Sequence, residues 1–156
     1  MLEKLVKKLI NNKKTISTME SCTGGALVSS ITNVEGASEI LKFSAITYSN
    51  QFKIKMGVSK DIIDKYSVYS IETAKEMSYN ISKFTNSNYG VGITGKFGKI
   101  DKENLAGDDY TVFISIYDKD NAKYITFKLI ALSADREKNK EYIVEEIAKK
   151  LLAILG

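Results

Sequence analysis

Hydroxyl groups and a glycine pair stand close together in one short segment, where residues 18–25 read TMESCTGG. Glycines at the end of a strand let backbone N–H groups approach an anion, and the start of a following helix adds positive potential. A phosphate or carboxylate would therefore fit beside Ser21, Thr23, Gly24 and Gly25. The same residues are equally typical of a tight strand-to-helix turn with a capping hydroxyl, and this segment alone leaves both interpretations open.

A second polar segment, residues 48–53 (YSNQFK), follows a predicted strand and contains Tyr48, Asn50 and Lys53. In α/β sheets, ligands bind beyond the carboxyl ends of the strands. Tyr48 and Lys53 are five residues apart, so a strand that turns into a helix could bring both side chains to one site. A lysine at the start of a surface helix is usually only solvated, and this segment by itself is weak evidence.

Three further segments carry groups that could bind or react. Ser38 ends a Gly-Ala-Ser turn, where a serine usually caps a helix. Thr94 and Gly95 end a predicted strand, where a glycine would admit a ligand. Arg136 begins the last predicted helix, and its planar donor fork suits either a phosphate or a neighbouring acid.

Composition restricts the chemistry that these residues can perform. The chain has 156 residues, one cysteine and no histidine. Catalysis by Ser-His-Asp or Cys-His groups is therefore excluded, as are imidazole metal sites, zinc cages built on several cysteines and an intrachain disulfide. An enzyme with this sequence would need a lysine, tyrosine, aspartate or glutamate as its base. A lysine that has lost its proton can activate a serine, and a tyrosine can relay the proton between them.

Charge and hydropathy indicate where the protein works and what it contacts. The formal net charge is +4, but the lysines are scattered and interleaved with acids, so we do not expect nucleic-acid binding. No apolar run reaches the length of a membrane span, and we expect no membrane contact. Residues 1–14 favour an amphipathic helix over a signal peptide, which predicts a cytoplasmic location.

Hydrophobic periodicity predicts a single α/β domain over residues 1–156. Helices alternate with apolar strands, and a turn at residues 118–121 joins two strands in a hairpin, so we expect a mixed sheet with helices on both faces. Helices are predicted at residues 2–11, 26–32, 39–42, 52–56, 60–65, 70–84 and 136–155. Strands are predicted at residues 15–19, 43–48, 89–94, 110–117 and 123–132, with a loop at 96–109.

Taken together, the motifs resemble a known family. ESCTGG, GAS ten residues before YSN, a lysine three residues after that asparagine, GITG, and DR at the last helix occur in this order. The pattern is similar to the CinA C-terminal domain family of competence/damage-inducible proteins, which includes the nicotinamide-mononucleotide deamidases (PncC type). The resemblance covers residues 15–152 and implies a three-layer α/β/α sandwich with a mixed, mostly parallel sheet. The chain resembles the stand-alone form of the family.

The resemblance also implies an activity and a set of roles. The reaction would hydrolyse the carboxamide of nicotinamide mononucleotide, a small-molecule nucleotide, to nicotinate mononucleotide and ammonia, without a metal or organic cofactor. Ser38 matches the family's nucleophile, Lys53 its activating base and Tyr48 their partner, and we expect these three side chains to converge in one pocket. The remaining matched positions would line the substrate site: Ser21, Thr23, Gly24, Gly25, Asn50, Thr94, Gly95 and Arg136.

The sequence leaves other functions open. After GITG the chain lacks the family's usual proline, and Ala134 stands where the family has a glycine before Asp-Arg. One alternative is a catalytically silent nucleotide-binding or regulatory module linked to competence or DNA damage. Another is an amidohydrolase for a different amide. The predicted hairpin and the nine tyrosines are compatible with a homodimer.

Overall fold

A computed structural model describes residues 1–98 and 110–156 of the chain. Five strands form one sheet: β1 (Ile16–Glu20), β2 (Ala45–Ile46), β3 (Tyr89–Gly95), β4 (Thr111–Asp118) and β5 (Lys123–Ile130). The α-helices are α1 (Leu2–Asn11), α2 (Ala26–Thr32), α3 (Asn50–Lys55), α4 (Lys60–Tyr66), α5 (Ile71–Thr85) and α6 (Arg136–Leu155).

The sheet has the strand order β2-β1-β3-β4-β5. β1 pairs in parallel with both β2 and β3, whereas β3–β4 and β4–β5 are antiparallel. β4 alone therefore runs against the other four strands. The predicted mixed sheet, parallel in most of its strands and closed by one hairpin, is confirmed.

Helices cover both faces of this sheet. One core cluster packs the inner residues of α1, α2 and α6 against one face, as shown by Leu5, Leu27 and Ile147, which have no exposed surface. A second cluster on the other face joins Met19 of β1 to Met77 and Ile81 of α5. The predicted three-layer α/β/α sandwich is confirmed, and the face that carries α5 is called the α5 face below.

Helix α5 lies unusually close to β3 because two strand positions have no side chain. A Cβ atom on Gly90 would lie 2.1 Å from the Ser78 carbonyl oxygen, and one on Gly92 would lie 2.3 Å from the Ala74 carbonyl oxygen. Any larger residue would push the helix away. This contact fixes the helix against β3, whose carboxyl end is part of the site described below.

Two predicted elements differ from the structure. The strand predicted at 43–48 is reduced to Ala45–Ile46, because the Ser44 hydroxyl, and not a backbone carbonyl, accepts the hydrogen bond of the Thr18 N–H (3.1 Å). The helix predicted at 39–42 is instead a 3₁₀ turn at Ala37–Glu39. Most of the loop predicted at 96–109 lies outside the described residues.

Among the helices of residues 1–98 and 110–156, none combines the length and the apolar character that crossing a bilayer requires.

Candidate functional site

A serine and a lysine meet at the carboxyl end of β1. Ser21 is the first residue after that strand, and Lys53 lies in α3 with 2% of its surface exposed. The Lys53 Nζ atom is 3.1 Å from Ser21 Oγ and 2.7 Å from the Thr47 carbonyl oxygen. Helix α3 begins at a Ser49 cap, whose hydroxyl accepts the Phe52 N–H at 3.3 Å. The cap and the two contacts hold the lysine nitrogen against the serine hydroxyl.

Three hydroxyl residues lie side by side across the central strands. Glu20 pairs in register with Ile46 of β2 and with Ile93 of β3. The residues that follow these three therefore stand at the same level along the strands. They are Ser21, Thr47 and Thr94. Neighbouring strands are about 4.8 Å apart. Alternation of side chains places all three on the α5 face, since Met19 and Ala45, two residues earlier, pack there.

The three hydroxyls are bonded differently. Thr94 Oγ1 donates to the Val68 carbonyl oxygen at 2.8 Å, and Ser21 Oγ is bound to Lys53. Thr47 Oγ1 is buried and has no hydrogen-bond partner among the described residues. Its backbone is nevertheless fixed, because its N–H donates to the Glu20 carbonyl oxygen at 2.8 Å. Thr47 therefore offers the site a free hydroxyl beside the serine.

The carboxylate of Glu20 occupies the start of α2. It accepts hydrogen bonds from the N–H groups of Leu27 (3.0 Å) and Val28 (2.9 Å) and from the Thr23 hydroxyl (2.7 Å). These are the donors that a bound anion would need at this helix end. The predicted anion site beside Thr23, Gly24 and Gly25 is therefore wrong at the helix start, because the chain's own carboxylate fills it.

Gly24 and Gly25 form part of the turn between β1 and α2. Both have positive φ, 60° and 97° respectively. A Cβ atom on Gly25 would also lie 2.9 Å from Ile46 Cδ1, so a side chain would be strained in its backbone and crowded by β2. Residues 18–25 therefore form the tight strand-to-helix turn that was the alternative to an anion site.

Tyr48 and Arg136 form the outer rim of the site. Tyr48 has 65% of its surface exposed, and its Oη atom lies 3.5 Å from a terminal nitrogen of Arg136. The Arg136 guanidinium also lies over the Phe97 ring, 5.3 Å from its centroid. Asp135 caps α6 by accepting the Glu137 N–H at 2.9 Å, so that helix start also holds the chain's own carboxylate.

Ser38 lies at the opposite end of the sheet from Lys53. The Ile40 carbonyl oxygen accepts the N–H of Ile16, the first residue of β1, at 2.8 Å, whereas Ser21 follows the last residue of that strand. The strand rises about 3.3 Å per residue, which separates the two ends by roughly 16 Å. The predicted convergence of Ser38, Tyr48 and Lys53 is therefore wrong within one chain. Ser38 is exposed.

The other predicted positions border the site without completing it. Asn50 is the first residue of α3 and is half-buried, three residues before the lysine. Gly95 ends β3, and a Cβ atom there would lie 2.5 Å from the Thr111 carbonyl oxygen of β4. A larger residue would separate β3 from β4, so this glycine preserves the strand end that carries Thr94.

Comparison with known proteins identifies the family. The family described as CinA C-terminal domain matches residues 1–155. The chain belongs to the CinA C-terminal domain family. A CinA-like protein of Endomicrobium trichonymphae is 34% identical over 93% of this chain and 34% of its own length. Another, from Flavobacterium psychrophilum, is 40% identical over 74% of this chain and 28% of its own length. This CinA domain thus spans about a third of the length of the curated relatives it matches.

Solved structures support the fold. The crystal structure of a competence or damage-inducible protein from Enterobacter asburiae aligns with a TM-score of 0.89 at 23% identity, covering 100% of this chain and 99% of that one. A CinA-superfamily protein from Klebsiella pneumoniae aligns with a TM-score of 0.90 at 20% identity over 99% and 94% of the two chains. At this identity the likeness establishes the fold of the CinA domain and carries no functional assignment.

Sequence reasoning missed three residues of this CinA domain: Glu20, Thr47 and Lys96. Glu20 is part of ESCTGG, and its carboxylate before a glycine turn could have suggested a partner for the helix start. Thr47 directly precedes Tyr48, and its burial depends on how β2 packs. Lys96 follows GITG and is buried with 6% exposure, which a polar stretch does not suggest.

Within residues 1–98 and 110–156, no group of three or more cysteine, aspartate or glutamate side chains is arranged to hold a metal ion. The carboxylate of Glu20, the residue before the serine, accepts hydrogen bonds from N–H groups of α2.

The thiol of Cys22 is next to Ser21 but is not poised as a nucleophile. Burial raises the pKa of the Cys22 thiol to about 12, against the smaller opposing effect of Lys53. A raised pKa keeps the group as a neutral thiol at pH 7–8, and the thiol reacts far more slowly than a thiolate. We expect Cys22→Ala to keep the activity proposed below within a few-fold of the wild type. Iodoacetamide at pH 7.5 should also leave the activity intact, and rapid inactivation would contradict this.

Proposed function

We propose that this CinA domain hydrolyses the carboxamide of nicotinamide mononucleotide, with Ser21 as nucleophile and Lys53 as general base. The observation that carries the proposal is the 3.1 Å contact between Ser21 Oγ and the buried Lys53 Nζ. Without histidine, a serine needs a lysine, a tyrosine or a carboxylate to take its proton, and the pair lies where α/β sheets bind ligands. Ser21 therefore takes the role that the family resemblance had suggested for Ser38.

The reaction would proceed through an acyl-enzyme. Ser21 Oγ attacks the carboxamide carbon while the neutral Lys53 amine takes the hydroxyl proton. The resulting lysine ammonium then returns a proton to the amide nitrogen as the C–N bond breaks, and ammonia leaves. Water next attacks the ester carbon and gives a proton to Lys53. As the Ser21 Oγ–carbon bond breaks, the lysine ammonium returns that proton to Ser21 Oγ, and the released acid ionises to the carboxylate by losing its proton to solvent. Lysine ends each half-reaction in the state in which it began.

The developing oxyanion needs a hydrogen-bond donor close to Ser21. The unpartnered Thr47 hydroxyl stands one strand spacing away at the same level, and its O–H bond can turn about the Cβ–Oγ1 bond to point toward the oxygen. One well-placed donor of this kind stabilises a transition state by about 3 kcal/mol. We therefore assign the Thr47 hydroxyl as the donor to the oxyanion.

Positive charge at the rim favours a phosphorylated substrate. Arg136 is exposed next to Tyr48, and the Lys140 nitrogen lies 3.4 Å from the position that a Gly24 Cβ atom would take. An aromatic ring beside a guanidinium suits a nucleotide, since the tyrosine can contact a flat ring while arginine binds phosphate. This arrangement supports a nucleotide over a small uncharged amide.

A non-catalytic nucleotide-binding module is the second candidate function. The observation in its favour is that Ser38 lies far from Lys53 and Tyr48 is exposed. Longer relatives from Thermoanaerobacter pseudethanolicus and Clostridium novyi also carry the name putative competence-damage inducible protein. Such a module would bind nicotinamide mononucleotide without releasing ammonia.

The deciding experiment measures ammonia release by the purified protein. Nicotinamide mononucleotide, nicotinamide riboside and glutamine are supplied separately, and ammonia is coupled to glutamate dehydrogenase. We expect turnover of the mononucleotide and formation of nicotinate mononucleotide in equal amount. Binding by calorimetry without ammonia would support the non-catalytic module, and turnover of glutamine alone would support an amidohydrolase for a different amide.

The rim arginine provides a test of substrate binding. We expect Arg136→Ala to raise the KM for nicotinamide mononucleotide by about tenfold with little change in kcat, because a guanidinium–phosphate contact made in both the ground and transition states contributes only to binding. Arg136→Lys should recover part of the loss. Steady-state kinetics measure both variants, and an unchanged KM in the alanine variant would remove Arg136 from the binding site.

A further inference from the structure

Lys96 is a buried cation that no protein anion balances within the described residues. Its side chain is only 6% exposed, and its Nζ atom lies 4.8 Å from the centroid of the Tyr69 ring. Neither a hydrogen bond nor an ion pair joins this ammonium to any residue in the described parts of the chain. Burying a charge without a counter-charge is costly. A lysine kept in this state therefore points to an anion that binds from outside.

The backbone places Lys96 close to the proposed reaction centre. Its N–H donates to the Thr111 carbonyl oxygen at 3.1 Å, which extends the pairing of β3 with β4 by one residue. Lys96 is two positions beyond Thr94, so alternation directs both side chains to the α5 face, where Tyr69 also packs. At about 3.3 Å per residue, Lys96 is roughly 7 Å further along the strand direction than Thr94. Its ammonium group is thus within the length of a nucleotide from Ser21.

Other positions that could bind an anion are already filled by the protein. The N–H groups at the start of α2 are bonded to Glu20, and those at the start of α6 are bonded to Asp135. Among the cations of the site, Lys53 is committed to Ser21 and to the Thr47 carbonyl oxygen. Lys96 is the buried cation left for a ligand in the described structure.

We propose that Lys96 binds the phosphate of the nucleotide substrate, which makes it a specificity-determining residue of this domain. The proposal rests on the function proposed above. The Tyr69 ring holds the ammonium group through a cation–π contact and leaves its N–H donors available. A phosphate monoester carries close to two negative charges at neutral pH and offers three acceptor oxygens, so it gives this cation both charge and hydrogen bonds. Arg136 at the rim would contact the same group from the solvent side.

The kinetic test compares substrates that differ by the phosphate. We expect Lys96→Met to raise the KM for nicotinamide mononucleotide about tenfold or more and to leave the KM for nicotinamide riboside unchanged, while Lys96→Arg keeps most of the affinity. Lys75→Met is the matched control, because the Lys75 nitrogen lies 4.7 Å from the Tyr124 ring, the same type of contact made over β5. An equal rise for both substrates, or no rise for either, would overturn the proposal.

A second measurement does not depend on turnover. Inorganic phosphate at millimolar concentration should raise the Tm of the wild type and of Lys75→Met but not that of Lys96→Met. Without phosphate, Lys96→Met should be at least as stable as the wild type, because it removes an unbalanced buried charge. If the wild type released no ammonia but kept this phosphate-dependent shift, the proposed reaction would be wrong and the anion site would stand. A shift of equal size in Lys96→Met would overturn the site itself.

Discussion

Replacing Ser21 with alanine is expected to lower the kcat for nicotinamide mononucleotide by about 10³-fold or more while substrate binding persists. The alanine variant has no oxygen to form the acyl-enzyme, but the cationic groups that hold the substrate are unchanged. Ser21 is 8% exposed, and within the described residues its hydroxyl bonds to Lys53 alone, while its backbone bonds to Ile93 and Gly24 do not depend on the side chain. The fold should therefore survive the loss of one oxygen atom. Ammonia release measures kcat, calorimetry measures binding, and the Tm reports the fold.

Ser38→Ala is the matched control for this experiment. The same substitution at the far end of β1 should leave kcat, KM and Tm close to the wild-type values, because Ser38 is exposed and the described structure records only its carbonyl oxygen in a hydrogen bond, from Lys42 Nζ at 2.8 Å. If Ser38→Ala were inactive and Ser21→Ala active, the nucleophile would be Ser38. A second copy of the chain would then have to bring it to Lys53, since one chain keeps them apart.

The sequence predicts best those helices and strands whose bounds depend on the spacing of their own apolar residues. The long helices α5 and α6 and the central strand β3 were predicted within one or two residues because each carries a continuous apolar period. β2 was overestimated because apolar, β-prone residues 43–48 do not reveal that the Ser44 side chain interrupts the ladder. That interruption depends on the neighbouring strand and is therefore invisible to a local pattern.

Sequence motifs indicate which side chains could take part in a site, but they do not give the distances between them. Ser21, Lys53 and Thr94 were selected as site residues, and the structure brings them to one edge of the sheet. The motif alone groups Ser38 with them, although the turn that contains Ser38 lies beside the amino end of β1 and not its carboxyl end. The spacing of ten residues between Ser38 and Tyr48 does not reveal which way the chain runs between them. In the structure this segment runs alongside β1, so its two ends lie at opposite ends of the sheet.

Glu20 shows a different limit of sequence reasoning. The glycine turn after it has every feature of an anion site, and the structure does place an anion there, but the anion belongs to the protein. A glutamate at the end of a buried strand can reach the N–H groups of the helix that follows it. The prediction identified the correct electrostatics and the wrong ligand.

Lys53 is the residue whose replacement should reveal the mechanism most directly. Lys53→Arg keeps the positive charge, but a guanidinium does not lose its proton at working pH, so it cannot accept the Ser21 proton. We expect a loss of kcat of about 10³-fold or more. Lys53→Met, which keeps the length of the side chain without the amine, should be equally inactive. Because Lys53 is buried, the Tm of each variant must first confirm that it is folded.

The pH dependence of kcat/KM in the wild type distinguishes a general base from a fixed positive charge at Lys53. A base works only as the neutral amine, so kcat/KM should fall as the pH is lowered and the amine gains its proton, and should level off at higher pH. An electrostatic anchor would give the opposite trend, since its charge would be lost at high pH. Lys53→Arg should then also retain most of the activity. A rising profile together with an inactive arginine variant is therefore expected only if Lys53 is the base.

Chemical rescue separates a missing base from a damaged fold. Lys53→Ala leaves a space where the amine stood, between the Ser21 hydroxyl and the Thr47 carbonyl oxygen. Added ethylamine or propylamine can occupy that space and take the proton, so part of the lost rate should return and should increase with the concentration of the neutral amine. Tetramethylammonium, a cation that cannot accept a proton, should restore nothing. Rescue by that cation would instead make Lys53 an electrostatic anchor, and the Ser21 proton would have to leave through water.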